Sequence, residues 1–156
     1  DHPFLARLGP DLLTHGVTVG EAMARLREQR FQRRRLGGLL LDQSLFAGIG
    51  NYLRSEILFF AGLHHRTRPM DLDEAALERL SRTILEVTRQ AYDQAGVTNR
   101  PDWAAAERRG GTSRRRWRFA VFEREGLACH RCGTAIERAT VASRRLYACP
   151  RCQASP

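Results

Sequence analysis

Lysine does not occur among the 156 residues, and all 26 basic side chains are arginine. Its absence excludes, within this chain, Schiff-base chemistry on a lysine amine and a lysine of the phosphate-loop type. No apolar run is long enough to span a bilayer. No basic segment followed by an apolar stretch opens the sequence, so no secretory signal is expected. Cysteine is missing from residues 1–128. The chain begins at Asp1 rather than methionine, and the expectation is a piece of a longer polypeptide.

Hydrophobic residues make up 42% of the chain, enough for a packed core. The length suits one ordinary domain or two small ones. The formal charge of +9 is unevenly placed. Residues 1–98 hold 13 arginines against 12 acids, whereas residues 99–156 hold 13 against 5. A strongly basic segment favours phosphate backbones or anionic membranes. No long basic amphipathic helix with an aromatic face is visible, so a nucleic acid is the better partner than a membrane. An arginine-rich proteome would also explain the missing lysine, but not the skew toward the last third.

The four cysteines form two short pairs, Cys129-His-Arg-Cys132 and Cys149-Pro-Arg-Cys152, sixteen residues apart. This is the spacing of a four-thiolate structural zinc site, each pair making a knuckle and a β-hairpin bringing the knuckles together. Two disulfides fit less well, because secreted frameworks spread their cysteines along the chain. His130 would be a fifth ligand and is expected to be exposed.

Helical patterns precede the cysteines. Thr18-Val-Gly-Glu21 has capping-box spacing and opens a helix to about Gln29, with Ala22, Met23 and Leu26 as its stripe. An apolar run, Leu39–Phe46, is followed by the tight Ala47-Gly-Ile-Gly50 turn, and Asn51 caps a helix from Tyr52 to Ala61 stopped by Gly62. Leu77, Leu80, Ile84, Val87 and Ala91 recur at helical spacing toward Gly96. Residues 97–116 read as a linker or mobile loop, and Trp117–Phe122 as a strand leading into the zinc unit. The resulting fold class is mainly α: a helix-two-turns-helix domain followed by a small zinc-ribbon β-hairpin. The helical part is expected to be independent of the metal.

Two features could carry function. The Gly48-Ile-Gly50-Asn51 turn precedes a helix start, where free N–H groups and the dipole favour anions. A plain helix–turn–helix corner accounts for the same residues. The run Arg30–Arg35 could track phosphates or be a solvated turn. Asp42 and Glu56 are the acids of the apolar helix pair, and buried or capping roles are expected for both.

Leu39-Leu-Leu-Asp-Gln43 together with Ala47-Gly-Ile-Gly-Asn-Tyr-Leu-Arg-Ser-Glu-Ile57 resembles the helix–two-turns–helix motif of the formamidopyrimidine-DNA glycosylase and endonuclease VIII family. Arg118–Gly126 through Cys149-Pro-Arg-Cys-Gln153 is similar to that family's C-terminal zinc finger, and His2–Asp11 to the start of its C-terminal domain. Asn51-Tyr-Leu-Arg54 is closer to the endonuclease VIII branch, and residues 99–117 lack the glycine-rich loop of the formamidopyrimidine branch.

The resemblance implies a monomeric bacterial, cytoplasmic base-excision repair enzyme that removes oxidised pyrimidines and nicks the strand by β,δ-elimination. It implies one structural zinc on Cys129, Cys132, Cys149 and Cys152. Asn51, Arg144 and Arg7 become expected DNA ligands, Arg144 with a further expected role in δ-elimination. The expected units are a helical DNA-binding domain over 1–98, an arginine-rich loop over 99–117 and a four-cysteine zinc finger over 118–156. The family's catalytic N-terminal proline and glutamate, its catalytic lysine and its N-terminal β-rich domain have no counterpart in these residues. This chain alone is therefore expected to be inactive. A stand-alone, non-catalytic zinc-containing nucleic-acid-binding module is the alternative.

Overall fold

The computed structural model describes residues 8–156. The expected ligand Arg7 and most of the opening motif lie outside the described residues. Helix α1, Val19–Leu26, starts at the expected N-cap, Thr18. The Thr18 hydroxyl accepts the Glu21 amide at 3.1 Å and donates to the Glu21 carboxylate at 3.0 Å. It ends before Gln29, because the chain turns to bury Phe31, which lies off the Ala22–Met23–Leu26 stripe.

Helix α2, Leu36–Leu39, and helix α3, Asn51–Ala61, are joined by two turns. Gln43 fixes the second one. Its side-chain oxygen accepts the Gly48 amide at 2.9 Å, and its amide donates to the carbonyls of Leu41 and Ile49 at 3.1 and 3.2 Å. Gly48 has φ +107°, a conformation that side chains resist. A 3₁₀ turn, Pro69–Asp71, leads to the long helix α4, Glu74–Asp93, capped by Asp73. All five periodic apolar residues from Leu77 to Ala91 face inward.

The segment read as a linker is folded. Helix α5, Pro101–Arg109, has proline at its first position, where the missing N–H costs nothing. Helix α6, Arg114–Trp117, follows. Composition misled here because Trp103, the large apolar residue of α5, packs on aromatic rings from elsewhere rather than within a periodic stripe. The expected strand over Trp117–Phe122 is also absent. Trp117 ends α6, and the amides of residues 120–122 are taken by a side chain instead of a neighbouring strand.

Strands β1, Glu137–Val141, and β2, Arg144–Ala148, pair antiparallel, with Val141 opposite Arg144 and Glu137 opposite Ala148. Ala142 and Ser143 form the turn with φ of 54° and 64°, the handedness that two-residue hairpins need. The main core, which includes Leu26, Leu39, Phe46, Ile57 and Ile84, takes in Leu146 from β2. The smaller core beside the cysteines takes in Phe59 from α3. The two units therefore exchange side chains across their boundary.

Candidate nucleic-acid interface and zinc centre

The two knuckles meet as their spacing requires. The sulfur atoms of Cys129, Cys132, Cys149 and Cys152 all lie within 4.8 Å of one another. Sγ of Cys129 is 3.9 Å from that of Cys152, and Sγ of Cys132 is 3.4 Å from that of Cys149. Zn–S bonds of about 2.3 Å at tetrahedral angles separate sulfurs by about 3.8 Å, so the donor set fits one zinc ion. The cysteines are free thiols, and backbone amides of Arg131 and Cys152 point at Sγ of Cys129 and Cys149. Such donors stabilise thiolates. Hydrogen bonding from Thr134 draws the Cys132 thiol down to about 6, whereas burial pushes Cys152 up to about 12.

His130 is not a ligand, and it is not exposed either. Its ring stacks on Trp103 of α5 with centroids 5.0 Å apart and sits 3.6 Å from the Glu107 carboxylate. The neighbouring Arg131 lies over Phe59 at 4.9 Å and Trp103 at 5.8 Å. Arg124, almost wholly buried, pairs with Glu107 at 2.6 Å. Helix α5 thus braces the first knuckle through aromatic and ionic contacts that spacing alone does not reveal.

Helix α3 organises the opposite side. Asn51, Arg54 and Ser55 share one face of it, and each binds the hairpin backbone. The Asn51 amide donates to the Arg145 carbonyl at 3.0 Å, and the Tyr147 amide donates to the Ser55 hydroxyl at 3.1 Å. Arg54 is fully buried and donates to the carbonyls of Gly37 and Val141 at 2.8 Å and of Arg144 at 3.3 Å. Burial and the charge of Arg144 lower its pKa to about 10, so it remains cationic at neutral pH. Gly37 lets α2 approach the hairpin, since a Cβ there would meet the Val141 side chain at 2.7 Å.

Glu56 is also fully buried and accepts four hydrogen bonds. They come from the Thr98 hydroxyl at 2.5 Å and the amides of Ala120, Val121 and Phe122 at 2.6, 2.8 and 3.1 Å. Burial pushes its carboxyl up while these donors pull it down. Asp42 is half-buried and caps no helix; its carboxylate accepts the Ser44 amide and hydroxyl at 2.8 and 2.6 Å and so fixes the turn after α2. Burial raises its pKa, but hydrogen bonds from Ser44 and Arg34 outweigh this and hold it at about 2. Within residues 30–35, Arg34 pairs with Asp42 and Arg30 with Glu28, while Phe31 is buried in the core.

Asn51 is not the N-cap. Gly50 holds that position, and Asn51 is the first helical residue, its side chain turned to the hairpin. This brings two of the three expected DNA ligands, Asn51 and Arg144, to one place. Asn51, Arg144, Arg145, Arg115, Arg116, Phe122 and Tyr147 border a cleft of about 350 Å³, together with Glu123 and Glu125. Sequence reading missed Arg54, Ser55 and Arg124. For the first two a signal exists: polar residues at positions 51, 54 and 55 form one stripe on a helix whose remaining residues, Glu56 apart, are apolar or aromatic.

Residues 8–101 match the formamidopyrimidine-DNA glycosylase H2TH domain. The chain belongs to that family. Residues 126–154 match the zinc finger found in FPG and IleRS. Endonuclease 8 of Enterobacter sp. (strain 638) is 45% identical over 152 residues, covering 97% of this chain and 54% of that protein. Endonuclease 8 of Salmonella enteritidis PT4 matches to the same extent. The MutM (Fpg) protein of Thermus thermophilus superposes with a TM-score of 0.77 at 36% identity, over 99% of this chain and 56% of that one. Lactococcus lactis Fpg in complex with abasic-site DNA gives 0.76 at 27% identity, over 97% and 54%. The chain spans about half the length of the curated relatives it matches. In family terms, the two turns between α2 and α3 are those of the H2TH unit, and the hairpin with its knuckles is the FPG-type finger.

Proposed function

We propose that these residues are the DNA-binding C-terminal part of a bacterial, cytoplasmic base-excision repair glycosylase and AP lyase. Its reaction is removal of oxidised pyrimidines followed by β,δ-elimination. One observation carries the reading: the Asn51 side chain reaches the Arg145 carbonyl, so the H2TH helix start and the zinc hairpin present Asn51 and Arg144 on one cleft. The amide and guanidinium grip phosphates beside the lesion, the guanidinium through its bidentate fork. The damaged nucleotide is flipped out before cleavage. Arg144 also assists δ-elimination in the complete enzyme, by placing its charge beside the departing phosphate. Zinc supplies no chemistry to the reaction; its thiolates fix the hairpin that carries Arg144.

The nucleophilic amine comes from a proline-led N-terminal domain of the same protein, since no lysine lies within this chain. The 156 residues alone bind damaged duplex DNA but form no covalent adduct with abasic DNA under borohydride. The longer protein does form it. Trapping by the isolated chain at the rate of the longer protein overturns this division of labour. At the cleft, Arg144→Ala weakens DNA binding clearly more than Arg138→Ala while retaining full zinc. Equal losses reduce the cleft to a diffuse basic patch.

A further inference from the structure

The cleft has a third wall that neither the H2TH unit nor the finger supplies. It comes from α6, in the stretch between the two family matches. Three consecutive arginines stand there, and the fold treats them differently. Arg114 is folded back, donating to the Ala95 carbonyl at 2.7 Å and lying over the Trp117 ring at 5.4 Å. Arg115 and Arg116 border the cleft with Asn51 and Arg144. Both are exposed.

The short helix that carries them is held in place. Asn99 donates to the Trp117 carbonyl at 3.0 Å, and the amides of Thr98 and Asn99 donate to the Arg118 carbonyl. The buried Arg124 donates to the carbonyl of Arg116 itself at 3.3 Å. Basic side chains on a fixed backbone lose less freedom on binding than those on a mobile loop. Arg115 has one partner, Glu123, at 2.9 Å. Glu123 adopts φ 58° at a turn of the cleft wall, which brings its carboxylate to Arg115. An exposed pair of this kind contributes little to stability, so the guanidinium is available to a stronger anion.

We infer that Arg115 and Arg116 bind a backbone phosphate of the same DNA strand held by Asn51 and Arg144, and that Glu123 occupies Arg115 until DNA displaces it. This rests on the proposed DNA-binding reading of the cleft. Two walls that each neutralise phosphate set the course of the backbone through the cleft, which the rings of Phe122 and Tyr147 also line.

The test is equilibrium binding of the full chain to a short duplex bearing an abasic-site analogue, titrated across a range of salt. Zinc content and unfolding midpoint are checked for each variant. The double variant Arg115→Ala/Arg116→Ala is expected to bind about tenfold more weakly. Its log–log salt slope should be shallower by about 0.9 for each phosphate it no longer neutralises. Glu123→Gln is expected to bind more tightly, because it removes both the competitor for Arg115 and a negative charge beside the phosphate. Arg138→Ala is the control.

If the double variant matches Arg138→Ala while Arg144→Ala weakens binding, the third wall is refuted and the cleft reading stands. If Arg144→Ala also matches Arg138→Ala, the cleft reading itself fails. Unchanged or weaker binding by Glu123→Gln refutes its role as competitor.

Discussion

Arg54 donates a hydrogen bond to the side-chain oxygen of Asn51, one turn earlier on α3, at 3.0 Å. The same guanidinium holds the backbone of Arg144 on β2. One buried cation therefore sets the position of both residues proposed to contact DNA. Arg54→Met should cost about 3 kcal/mol, because buried carbonyls lose their donor. DNA affinity should fall as well, although neither Asn51 nor Arg144 is altered. Urea denaturation and DNA titration of the same variant check this, and Arg54→Lys should recover only part of either loss. Its ammonium cannot reproduce the planar fork.

Glu56 does for residues 120–122 what Arg54 does for the hairpin. Its carboxylate meets only donors, three amides and a hydroxyl. Glu56→Gln turns one acceptor into an N–H₂ group facing amides that cannot accept. A loss of about 2–4 kcal/mol is expected, since buried groups are left unsatisfied rather than merely unpaired to water. Calorimetric or urea unfolding measures it. Zinc stoichiometry should stay at one, because the carboxylate is not among the sulfur ligands.

The parts of this architecture legible in the sequence are those governed by period or spacing. The Leu77–Ala91 stripe, the Thr18 cap and the two cysteine pairs each obey a local rule, and each is found as expected. The failures share a cause. Helix α5 owes its place to Trp103 stacking on Phe60 and His130, and residues 120–122 are shaped by a carboxylate more than sixty positions earlier. Neither partner is near in sequence, so the asparagine, proline, glycine, serine and arginine of residues 97–116 suggest a loop. Asn51 is legible as a helix-start residue, but its bond to Arg145 depends on a strand that is held against α3 by Leu146, Arg54 and Ser55, more than eighty positions apart in sequence.

His65 makes stability pH-dependent. Burial lowers its pKa to about 4, helped by the charges of His64, Arg66, Arg54 and Arg35. The unfolded histidine titrates near 6.5. Between these values the unfolded chain binds a proton that the folded chain does not, so stability is present above pH 6.5 and is lost as pH falls toward 4. His65→Gln should flatten this part of the profile relative to the unaltered chain. Urea midpoints at steps across the window decide it; parallel profiles would show that His65 does not contribute.

Zinc removal should reach beyond the finger. The metal holds two knuckles whose folding free energy is on the order of 10 kcal/mol. Leu146 lies in the helical core, and Phe59 lies in the core beside the cysteines. Arg54 donates to hairpin carbonyls of Val141, Arg144 and Arg145, and Glu56 has three of its donors just before the finger. If the hairpin is released, Leu146 leaves a gap among the helices, Phe59 is uncovered, and two buried charges lose most of their partners. Chelation should therefore lower the unfolding midpoint of the helices themselves, followed by far-ultraviolet circular dichroism. The fluorescence of Trp103 should change in the same transition, because its indole stacks on His130 inside the first knuckle. Cys149→Ser should reproduce both changes without chelator. An unaltered helical midpoint in the zinc-free chain would show that the shared side chains do not couple the two units.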